Sequence, residues 1–399
     1  MLNVTRLLCG TPSPGDDLRY GERAPLHHGI AAPAVHHRPV VVWNVTRRCN
    51  LACAHCYTAS TQRPALGELT HEEACAVVAD LARFEVPVIL FSGGEPLLRE
   101  DLIELMALAR SLGAQPVLST NGTLLTSPTV RRLAEAGILR AGISLDGLEA
   151  TNDQFRGVTG AFQDALAGIR GCLEAGFRVS LRFTLTRYNV GELDAIFDLA
   201  LREGIQRLCI YHLAYAGRGR TLLPVDLGHE ERRAAIARVF QRTLELHEKG
   251  LDLEVLTVDN HADGAYLLLW ALEHVPERVL EIHRLLKSNG GNSAGAGIGC
   301  IDERGRVHPD QFWRAQVLGD VRQRPFSAIW QDDSVPLLGQ LRQRSSHLPE
   351  RCRSCRFLPL CNGNLRARAE AATGDPWGED PACYLDARER ALPVAAFTR

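Results

Sequence analysis

Three cysteines lie close together near the start of the chain, in the run Cys49-Asn50-Leu51-Ala52-Cys53-Ala54-His55-Cys56-Tyr57. Three thiolates at this spacing can hold three irons of a [4Fe–4S] cube, and such cubes commonly use four protein thiolates. One iron would then stay open to a ligand from outside the protein. A zinc knuckle is the alternative, but it usually closes all four positions, and His55 between two cysteines leaves little room for a tetrahedron. The trio therefore favours an iron–sulfur site with an open coordination position.

A second group of four cysteines lies towards the other end of the sequence. Its members are Cys352, Cys355, Cys361 and Cys383. Four thiolates can close either a structural zinc site or a [4Fe–4S] cluster, and the spacing alone leaves both open. The remaining cysteines are predicted to be core or arm residues: Cys9, Cys75, Cys172, Cys209 and Cys300. A substrate or cluster contact is the minor alternative for Cys300.

Composition places the chain among ordinary globular proteins. Its 399 residues include 45 Lys+Arg and 47 Asp+Glu, and 45% of them are hydrophobic. This balance excludes disordered and low-complexity classes and argues against a dedicated nucleic-acid binder. No apolar run is long enough to span a membrane, and the first ten residues lack a secretory signal. We therefore predict a cytoplasmic protein without nucleic acid or membrane span, in which close cysteines are metal ligands rather than disulfides.

Strand and helix patterns alternate from residue 39 onward. The predicted strands are Val40–Val45, Val86–Phe91, Pro116–Ser119, Gly142–Leu145, Val179–Leu185 and Arg207–Leu213. Helices are expected after the capping box Thr70-His71-Glu72-Glu73, over 101–112, from Ser127, and near 161–175 and 191–203. Six such units predict an α/β fold, a partial (β/α)6 TIM-like barrel with right-handed crossovers. An open doubly wound sheet is the alternative, but no Gly-x-Gly-x-x-Gly follows the first strand.

Four regions follow from these patterns. We expect an irregular N-terminal arm over 1–38, the partial barrel over 39–215, and a mostly helical connecting region over 216–290. Residues 291–399 have short elements and the second cysteine group, which is typical of a small domain stapled by metal. The first cysteine loop directly follows the first strand, so it lies at the carboxyl end of the sheet, where α/β barrels place their chemistry.

Further motifs follow the next strands in order. They are Ser92-Gly93-Gly94-Glu95-Pro96, Thr120-Asn121-Gly122, Ser144-Leu145-Asp146-Gly147, and Arg182 within the fifth strand. Together with the cysteine loop, they resemble the radical S-adenosylmethionine (SAM) superfamily over residues 38–215. The resemblance implies a [4Fe–4S] cluster on Cys49, Cys53 and Cys56. It also implies that the amino and carboxylate groups of SAM bind the open iron.

The resemblance also implies a set of SAM contacts: Tyr57, Gly93, Gly94, Glu95, Asn121, Ser144, Asp146 and Arg182. Gly93 and Gly94 would let the backbone approach the amino group, because neither has a Cβ. Ser144 and the fork of Arg182 would hold the carboxylate. A plain turn at the glycines and a surface charge at Arg182 are the alternatives. The implied chemistry is reductive cleavage of SAM to methionine and a 5′-deoxyadenosyl radical, fed by an external donor such as flavodoxin or ferredoxin.

The C-terminal cysteine group resembles the SPASM/twitch extensions of this superfamily. A full SPASM domain has further cysteines and two clusters, whereas only Cys300 precedes Cys352 in this region. The resemblance therefore implies one auxiliary [4Fe–4S] cluster on Cys352, Cys355, Cys361 and Cys383, and two clusters in the whole chain.

Shorter motifs over nearly the whole chain resemble the siroheme-derived tetrapyrrole branch of the superfamily. Among them are Leu7–Thr11, Leu18–Gly21, Asp259–Gly264, Val307–Trp313, Gly319–Phe326 and Asp380–Leu385. This resemblance implies an iron tetrapyrrole substrate and removal of acetate side chains from didecarboxysiroheme, which gives Fe-coproporphyrin III. The alternatives are removal of propionate side chains in haem d1 synthesis and a SPASM-type peptide maturase.

An iron tetrapyrrole with carboxylates calls for cationic side chains and an axial iron ligand. The candidates for carboxylates are Arg218, Arg220, Arg304, Arg314 and Arg322. The candidates for the iron are His212, His261 and His308, with His308 in His-Pro-Asp first among them. A solvated surface for each arginine and a structural role for each histidine are the alternatives.

Overall fold

The computed structural model describes residues 1–21 and 38–391. Its strands β1 to β11 are, in chain order, Leu2–Asn3, Val40–Asn44, Val88–Ser92, Gln115–Thr120, Arg140–Ser144, Arg178–Leu185, Arg207–His212, Glu254–Val258, Ile298–Ile301, Arg306–His308 and Gly319–Asp320. In the described residues they form one 11-stranded sheet with the order β1-β8-β7-β6-β5-β4-β3-β2-β9-β10-β11.

Helices of very different length connect these strands. In chain order, α1 to α17 are Val4–Cys9, Asp16–Tyr20, His71–Arg83, Leu102–Ser111, Ser127–Glu135, Glu149–Arg156, Ala161–Glu174, Leu193–Arg202, His229–Glu248, Ala262–His274, Val279–Asn289, Phe326–Trp330, Pro336–Arg342, Glu350–Arg353, Leu358–Cys361, Arg366–Thr373 and Ala387–Ala391. The predicted capping box is present, because Thr70 and Glu73 bond reciprocally at the start of α3. Among the described helices, none combines the length and the apolar character that crossing a bilayer requires.

The six predicted strands are confirmed as β2 to β7, and each pairs in parallel with the next. Each strand is followed by a helix, so the carboxyl ends of all six strands lie at the same edge of the sheet. The register sets Ser144, at the end of β5, opposite Arg182 in β6. Ser144 and Arg182, which are 38 positions apart in the sequence, are therefore neighbours in the sheet.

Burial alternates along β6 and so distinguishes the two faces of the sheet. Val179, Leu181 and Phe183 are fully buried in the main hydrophobic core, together with helix residues such as Phe197. The residues between them, including Arg182, are only partly buried and point to the other face, which we call the inner face. The inner face thus has room for polar side chains, while the outer face is sealed by helices.

The sheet extends beyond the predicted barrel on both sides. Strand β8 pairs in parallel with β7, and β9 pairs in parallel with β2. The prediction of a mostly helical stretch after residue 215 missed β8, a five-residue strand between two long helices. Without β8, the edge of β7 would present unpaired backbone groups to solvent.

The first twenty residues also differ from the predicted irregular arm. Strand β1 pairs with β8 in antiparallel fashion, with Leu2 opposite Thr257. Helix α1 begins with a cap from the Asn3 side chain and buries Leu7 and Leu8 in the core. These apolar residues cover the edge of the sheet, which explains why they are ordered. The rest of the predicted arm, residues 22–37, and the last residues, 392–399, lie outside the described residues.

Candidate functional site

The three N-terminal cysteines lie in the loop that connects β2 to α3 and pack against one another. Cys49 and Cys53 are 6% and 7% exposed, and Cys56 packs against them. Burial raises the pKa of Cys49 to about 11. Burial also opposes ionisation of Cys56, but hydrogen bonds from Ser60 and Thr58 outweigh it and lower the pKa of that thiol. The loop therefore already presents one thiol of the trio in an environment that favours the thiolate.

Backbone hydrogen bonds fix the cysteine loop in place. The amides of Ala52 and Ala54 donate to the carbonyls of Arg156 and Phe155, at 3.0 and 2.9 Å. Arg218 donates through Nε to the Cys53 carbonyl at 2.8 Å and through a terminal nitrogen to the Ser60 carbonyl at 2.6 Å. Arg218, a predicted substrate contact, thus holds the cysteine loop, and its other terminal nitrogen has no hydrogen-bond partner among the described residues.

Gly93 and Gly94 lie directly against the backbone that leads into this loop. The Gly94 amide donates to the Thr46 carbonyl at 2.7 Å. A Cβ on Gly93 would lie 2.5 Å from the same carbonyl oxygen, and one on Gly94 would overlap the carbonyl of Arg48. Gly93 also has a φ of 145°, which other residues rarely adopt. The close approach of two protein segments thus already requires glycine at both positions.

Glu95 is buried and accepts hydrogen bonds from the end of β4 and the loop that follows it. Its carboxylate accepts hydrogen bonds from the Thr120 hydroxyl and the Asn121 amide, both at 2.8 Å. Burial raises the pKa of Glu95 to about 7. Asn121 in turn donates to the Asn50 side chain at 2.9 Å and lies 3.9 Å from the Cys49 sulfur. Glu95 therefore positions Asn121, which reaches the cysteine trio.

A row of hydrogen bonds crosses the inner face of the sheet next to the trio. The Arg182 guanidinium donates to the Ser119 hydroxyl, which also accepts from Ser92 at 3.4 Å. The Tyr57 hydroxyl lies 3.1 Å from the Ser92 hydroxyl and donates to the Asn44 side-chain oxygen at 2.9 Å. Two predicted SAM-binding residues, Tyr57 and Arg182, are thus joined through polar side chains on three neighbouring strands.

This row ends at a buried thiol. Asn44 donates through its side-chain amide to the Cys300 sulfur at 3.6 Å. Cys300 is fully buried on β9, and burial raises the pKa of its thiol. The structure therefore agrees with the prediction of a buried thiol and adds that it faces the inside of the sheet.

Asp146 lies at the centre of a charged group beside the cysteine loop. Its carboxylate is 2.5 Å from a terminal nitrogen of Arg156 and 3.2 Å from Nε2 of His55. Another terminal nitrogen of Arg156 donates to the Cys53 sulfur at 3.6 Å. Burial lowers the pKa of His55 to about 4, so this ring is neutral at physiological pH. Asp146, predicted as a SAM contact, holds Arg156 in this structure.

The four C-terminal cysteines also converge. Cys352 and Cys355 lie on α14 and just after it, Cys361 ends α15, and Cys383 follows α16, and all four are partly exposed. Burial raises the pKa of Cys361, and the other three thiols raise it further through their charges. Burial also raises the pKa of Cys383, to about 11. The four thiols therefore lie close enough to interact electrostatically.

No group of three or more His, Cys, Asp or Glu side chains among residues 1–21 and 38–391 is arranged to hold a single metal ion.

The three candidate iron-binding histidines differ in their surroundings. His212 uses both ring nitrogens, because Nε2 lies 2.8 Å from Asp263 and Nδ1 lies 3.1 Å from Arg232. His308 is fully buried, with Nδ1 2.8 Å from the Gln316 carbonyl. His261 keeps a buried Nδ1 without a hydrogen-bond partner among the described residues. Nε2 of His308 likewise lacks a hydrogen-bond partner in the described part of the chain, although it lies 3.3 Å from the Asp302 carboxylate. His261 and His308 thus each keep one ring nitrogen without a hydrogen bond, whereas His212 keeps none.

The remaining candidate arginines fall into three groups. Arg322 bonds to Glu73 at 2.6 Å and pins the loop before α3, while Arg220 is exposed. Arg314 donates to Glu303 at 2.8 Å, and its other terminal nitrogen has no partner in the described part of the chain. Arg304 has a buried Nε that likewise lacks a described partner. Arg304 and Arg314 therefore retain donors for a carboxylate.

Sequence reasoning missed several residues of the site. Ser92 and Ser119 end apolar strands, and a polar residue at the carboxyl end of a buried strand is a signal that could have identified them. Arg156 gave no such signal, because an arginine in the last turn of a helix is ordinarily solvated.

Comparison with known proteins agrees with this geometry. A family model described as "Radical SAM superfamily" matches residues 43–200. Fe-coproporphyrin III synthase of Methanosarcina barkeri is 50% identical over 395 residues, which are 98% of each chain. Pre-heme d1 synthase of Dinoroseobacter shibae is 46% identical over 88% of this chain and 87% of its own.

Solved structures agree at the level of the fold. Streptococcus suis SuiB bound to S-adenosylmethionine superposes with a TM-score of 0.70 at 20% identity, over 88% of this chain and 78% of SuiB. Because the cysteine loop, the strand order, the family model and the full-length relatives all agree, the chain belongs to the radical SAM superfamily of enzymes, which use a [4Fe–4S] cluster and SAM.

Proposed function

We propose that this enzyme removes two acetate side chains from didecarboxysiroheme and so produces Fe-coproporphyrin III. The observation that carries the proposal is the 50% identity to Fe-coproporphyrin III synthase over 98% of both chains. Identity at this level and coverage includes the barrel, the connecting region and the C-terminal cysteine group alike. It favours a shared substrate as well as a shared cofactor.

Cys49, Cys53 and Cys56 are the proposed ligands of the SAM-cleaving cluster. When bound there, the cluster and SAM together supply a 5′-deoxyadenosyl radical, which takes a hydrogen atom from the substrate. The buried, mutually packed thiols and the hydrogen bonds to Cys56 support this assignment. The loop supplies three thiols, which leaves a coordination position for SAM.

The polar row on the inner face is the proposed SAM-binding surface. Arg182 presents a forked cation for the SAM carboxylate, and Ser144 lies opposite it in the register. Tyr57 is held by Asn44 and Ser92, so its backbone has one position at the end of the cysteine loop. Gly93, Gly94, Glu95, Asn121 and Asp146 are proposed to shape this surface, chiefly by fixing the loops described above.

The tetrapyrrole is proposed to bind over the inner face of the sheet, between the trio and the hairpin β9–β10. Arg218, Arg304 and Arg314 would hold its carboxylates through nitrogens that lack a described partner, and His308 or His261 would provide the axial nitrogen to its iron. Phe312 stacks edge-on against Tyr57 with ring centroids 5.3 Å apart, which links this hairpin region to the cysteine loop. His212, Arg220 and Arg322 receive supporting roles or none.

The C-terminal cysteines are proposed to hold a second [4Fe–4S] cluster within a SPASM/twitch-like region over 291–399. Their partial exposure suits electron exchange with an external donor such as flavodoxin or ferredoxin. Two clusters with free thiolate ligands require a reducing compartment, so we also propose the cytoplasm as the location.

The test is anaerobic reconstitution followed by incubation with SAM, dithionite and didecarboxysiroheme. Mass spectrometry should show loss of two acetate groups and accumulation of 5′-deoxyadenosine. Loss of propionate groups instead would assign the haem d1 reaction, which the 46% identity to pre-heme d1 synthase keeps as the second candidate. Cleavage of SAM without any change in the tetrapyrrole would contradict both and favour a peptide substrate.

A further inference from the structure

Arg156 is a buried cation in contact with a cysteine of the trio. It lies at the end of helix α6, where an arginine would ordinarily reach into water. Here the side chain is 7% exposed and touches Asp146 on one side and the Cys53 sulfur on the other. The contact spans 103 positions of sequence, so it is a product of the fold rather than of local structure.

The backbone holds this contact firmly. The carbonyl of Arg156 accepts a hydrogen bond from the Ala52 amide at 3.0 Å, next to Cys53. The carbonyl of Phe155 accepts another from Ala54 at 2.9 Å, and the Phe155 ring stacks on His55 with centroids 4.6 Å apart. The end of α6 and the cysteine loop are thus held side by side, which places the Arg156 side chain next to Cys53.

The charge of Arg156 persists despite burial. An arginine side chain stays protonated in proteins, and the Asp146 carboxylate 2.5 Å from one terminal nitrogen compensates its buried charge. Two nitrogens of the guanidinium are thus engaged, one by a carboxylate and one by a sulfur. A cation that is desolvated and fixed interacts strongly with a neighbouring thiolate.

A fixed positive charge on a cluster ligand changes the balance between the two redox states. Adding one electron makes the cluster more negative, so a neighbouring cation and an N–H···S bond stabilise the reduced state more than the oxidised one. Hydrogen bonds to sulfur and local charge are recognised determinants of cluster potentials.

We infer that Arg156, positioned by Asp146, raises the reduction potential of the cluster on Cys49, Cys53 and Cys56 and so eases its one-electron reduction by the external donor. The inference rests on the proposed cluster ligation. Arg156 is in this sense a positioning and tuning residue, because it acts through Cys53 and not on the substrate.

The test is a redox titration of the anaerobically reconstituted full-length enzyme, followed by electron paramagnetic resonance. The trio's cluster is recognised by the spectral change that SAM produces, which separates it from the second cluster. Arg156→Gln should lower the ratio of reduced to oxidised cluster about tenfold at a fixed potential, which is about 59 mV for a one-electron couple. Arg156→Lys keeps the charge without the fork, so it should shift the ratio less in the same direction.

Arg170→Gln is the matched control, because Arg170 is an exposed helical arginine paired with Glu203. It should leave the potential unchanged. A wild-type potential in Arg156→Gln, or an equal shift in Arg170→Gln, would overturn the inference. If Arg156→Gln assembles no cluster, Arg156→Met, which also removes the charge, decides by the same criterion. A wild-type signal that ignores SAM would instead refute the cluster ligation proposed above.

Discussion

A buried arginine–aspartate pair lies beside each cysteine group of this enzyme, and the two arginines contact different groups. Beside the N-terminal trio, Arg156 and Asp146 are 7% and 1% exposed. Beside the C-terminal group, Arg368 and Asp380 are 0% and 1% exposed, at 2.8 Å. Burial of such pairs is costly, so each position demands an explanation beyond stability.

The donors of the two arginines reach different partners. Arg156 gives one nitrogen to the Cys53 sulfur. Arg368 gives its remaining donors to backbone carbonyls, those of Leu213 after β7 and Asp259 after β8. The first arginine therefore acts on a cluster ligand, whereas the second fastens the C-terminal region to the edge of the barrel where the substrate is proposed to bind.

The two cysteine groups also differ in solvent exposure. Cys49 and Cys53 are buried, whereas all four C-terminal cysteines are partly exposed. A buried site with an open coordination position suits controlled radical formation, because water is excluded. A partly exposed site with four thiols suits structure or electron entry. The contrast teaches that two cysteine groups of one chain can differ in exposure, since two thiols of the trio are buried and only Cys56 is partly exposed.

Removing one cysteine from each group is the strongest test of this division. Cys53→Ala should abolish SAM cleavage, because the trio has no spare thiol. Cys355→Ala should lose roughly four irons per chain, since one cube is lost, yet still cleave SAM through the trio. Iron analysis and chromatographic assay of 5′-deoxyadenosine measure both. If Cys355→Ala also abolished SAM cleavage while the trio's cluster remained, the two groups would not be independent.

Breaking the second arginine pair should have the next largest effect. Arg368→Met leaves Asp380 buried without its cation and should reduce the free energy of unfolding by about 3–5 kcal/mol. Arg353→Met is the matched control, because Arg353 pairs with Glu350 on the exposed surface of α14, where a loss of about 0.5 kcal/mol is expected. Anaerobic urea unfolding compares the two. Equal midpoints for both variants would show that Arg368 does not fasten the region.

The sequence predicted the elements that local pattern determines. The six parallel strands follow from apolar runs, and the start of α3 follows from the reciprocal bonds of Thr70 and Glu73. The family prediction is confirmed by the relatives and the family model. Strand β8 was missed because its five residues lie between two long helices, and only pairing with β7 defines it.

Contacts between distant segments could not be predicted. Arg156 and Cys53 are 103 positions apart, and Arg368 reaches Leu213 over 155. Nothing in the residues next to Arg156 distinguishes it from other helical arginines. Similarly, His212 was a candidate iron ligand, yet the fold pairs both of its ring nitrogens with Asp263 and Arg232. Local motifs identify residue types suited to chemistry, whereas packing decides which of them can perform it.

The smallest expected effect is a difference in pH dependence between the two groups. Glu95 supports the trio's loop without an arginine partner, and burial raises its pKa from 4.5 to about 7. The folded state then binds more protons than the unfolded state, so this carboxyl reduces stability as pH rises from 4.5 to about 7. Burial also works against the charged form of Asp380, but Arg368 outweighs it and lowers the pKa of that carboxyl, whose contribution is present above 3.8 and is lost on acidification.

Glu95→Gln should therefore flatten the fall in stability between pH 4.5 and about 7, by on the order of 2 kcal/mol. The loss of stability on acidification that Asp380 causes should be unchanged. Urea midpoints at a series of pH values, measured anaerobically, show both pH dependences in one experiment. An unaltered slope in Glu95→Gln would mean that the three donors around the carboxylate, from Thr120, Asn121 and Leu97, already keep it ionised. The trio's loop would then be held by a charge, as the C-terminal region is, and the contrast would rest on Arg156 alone.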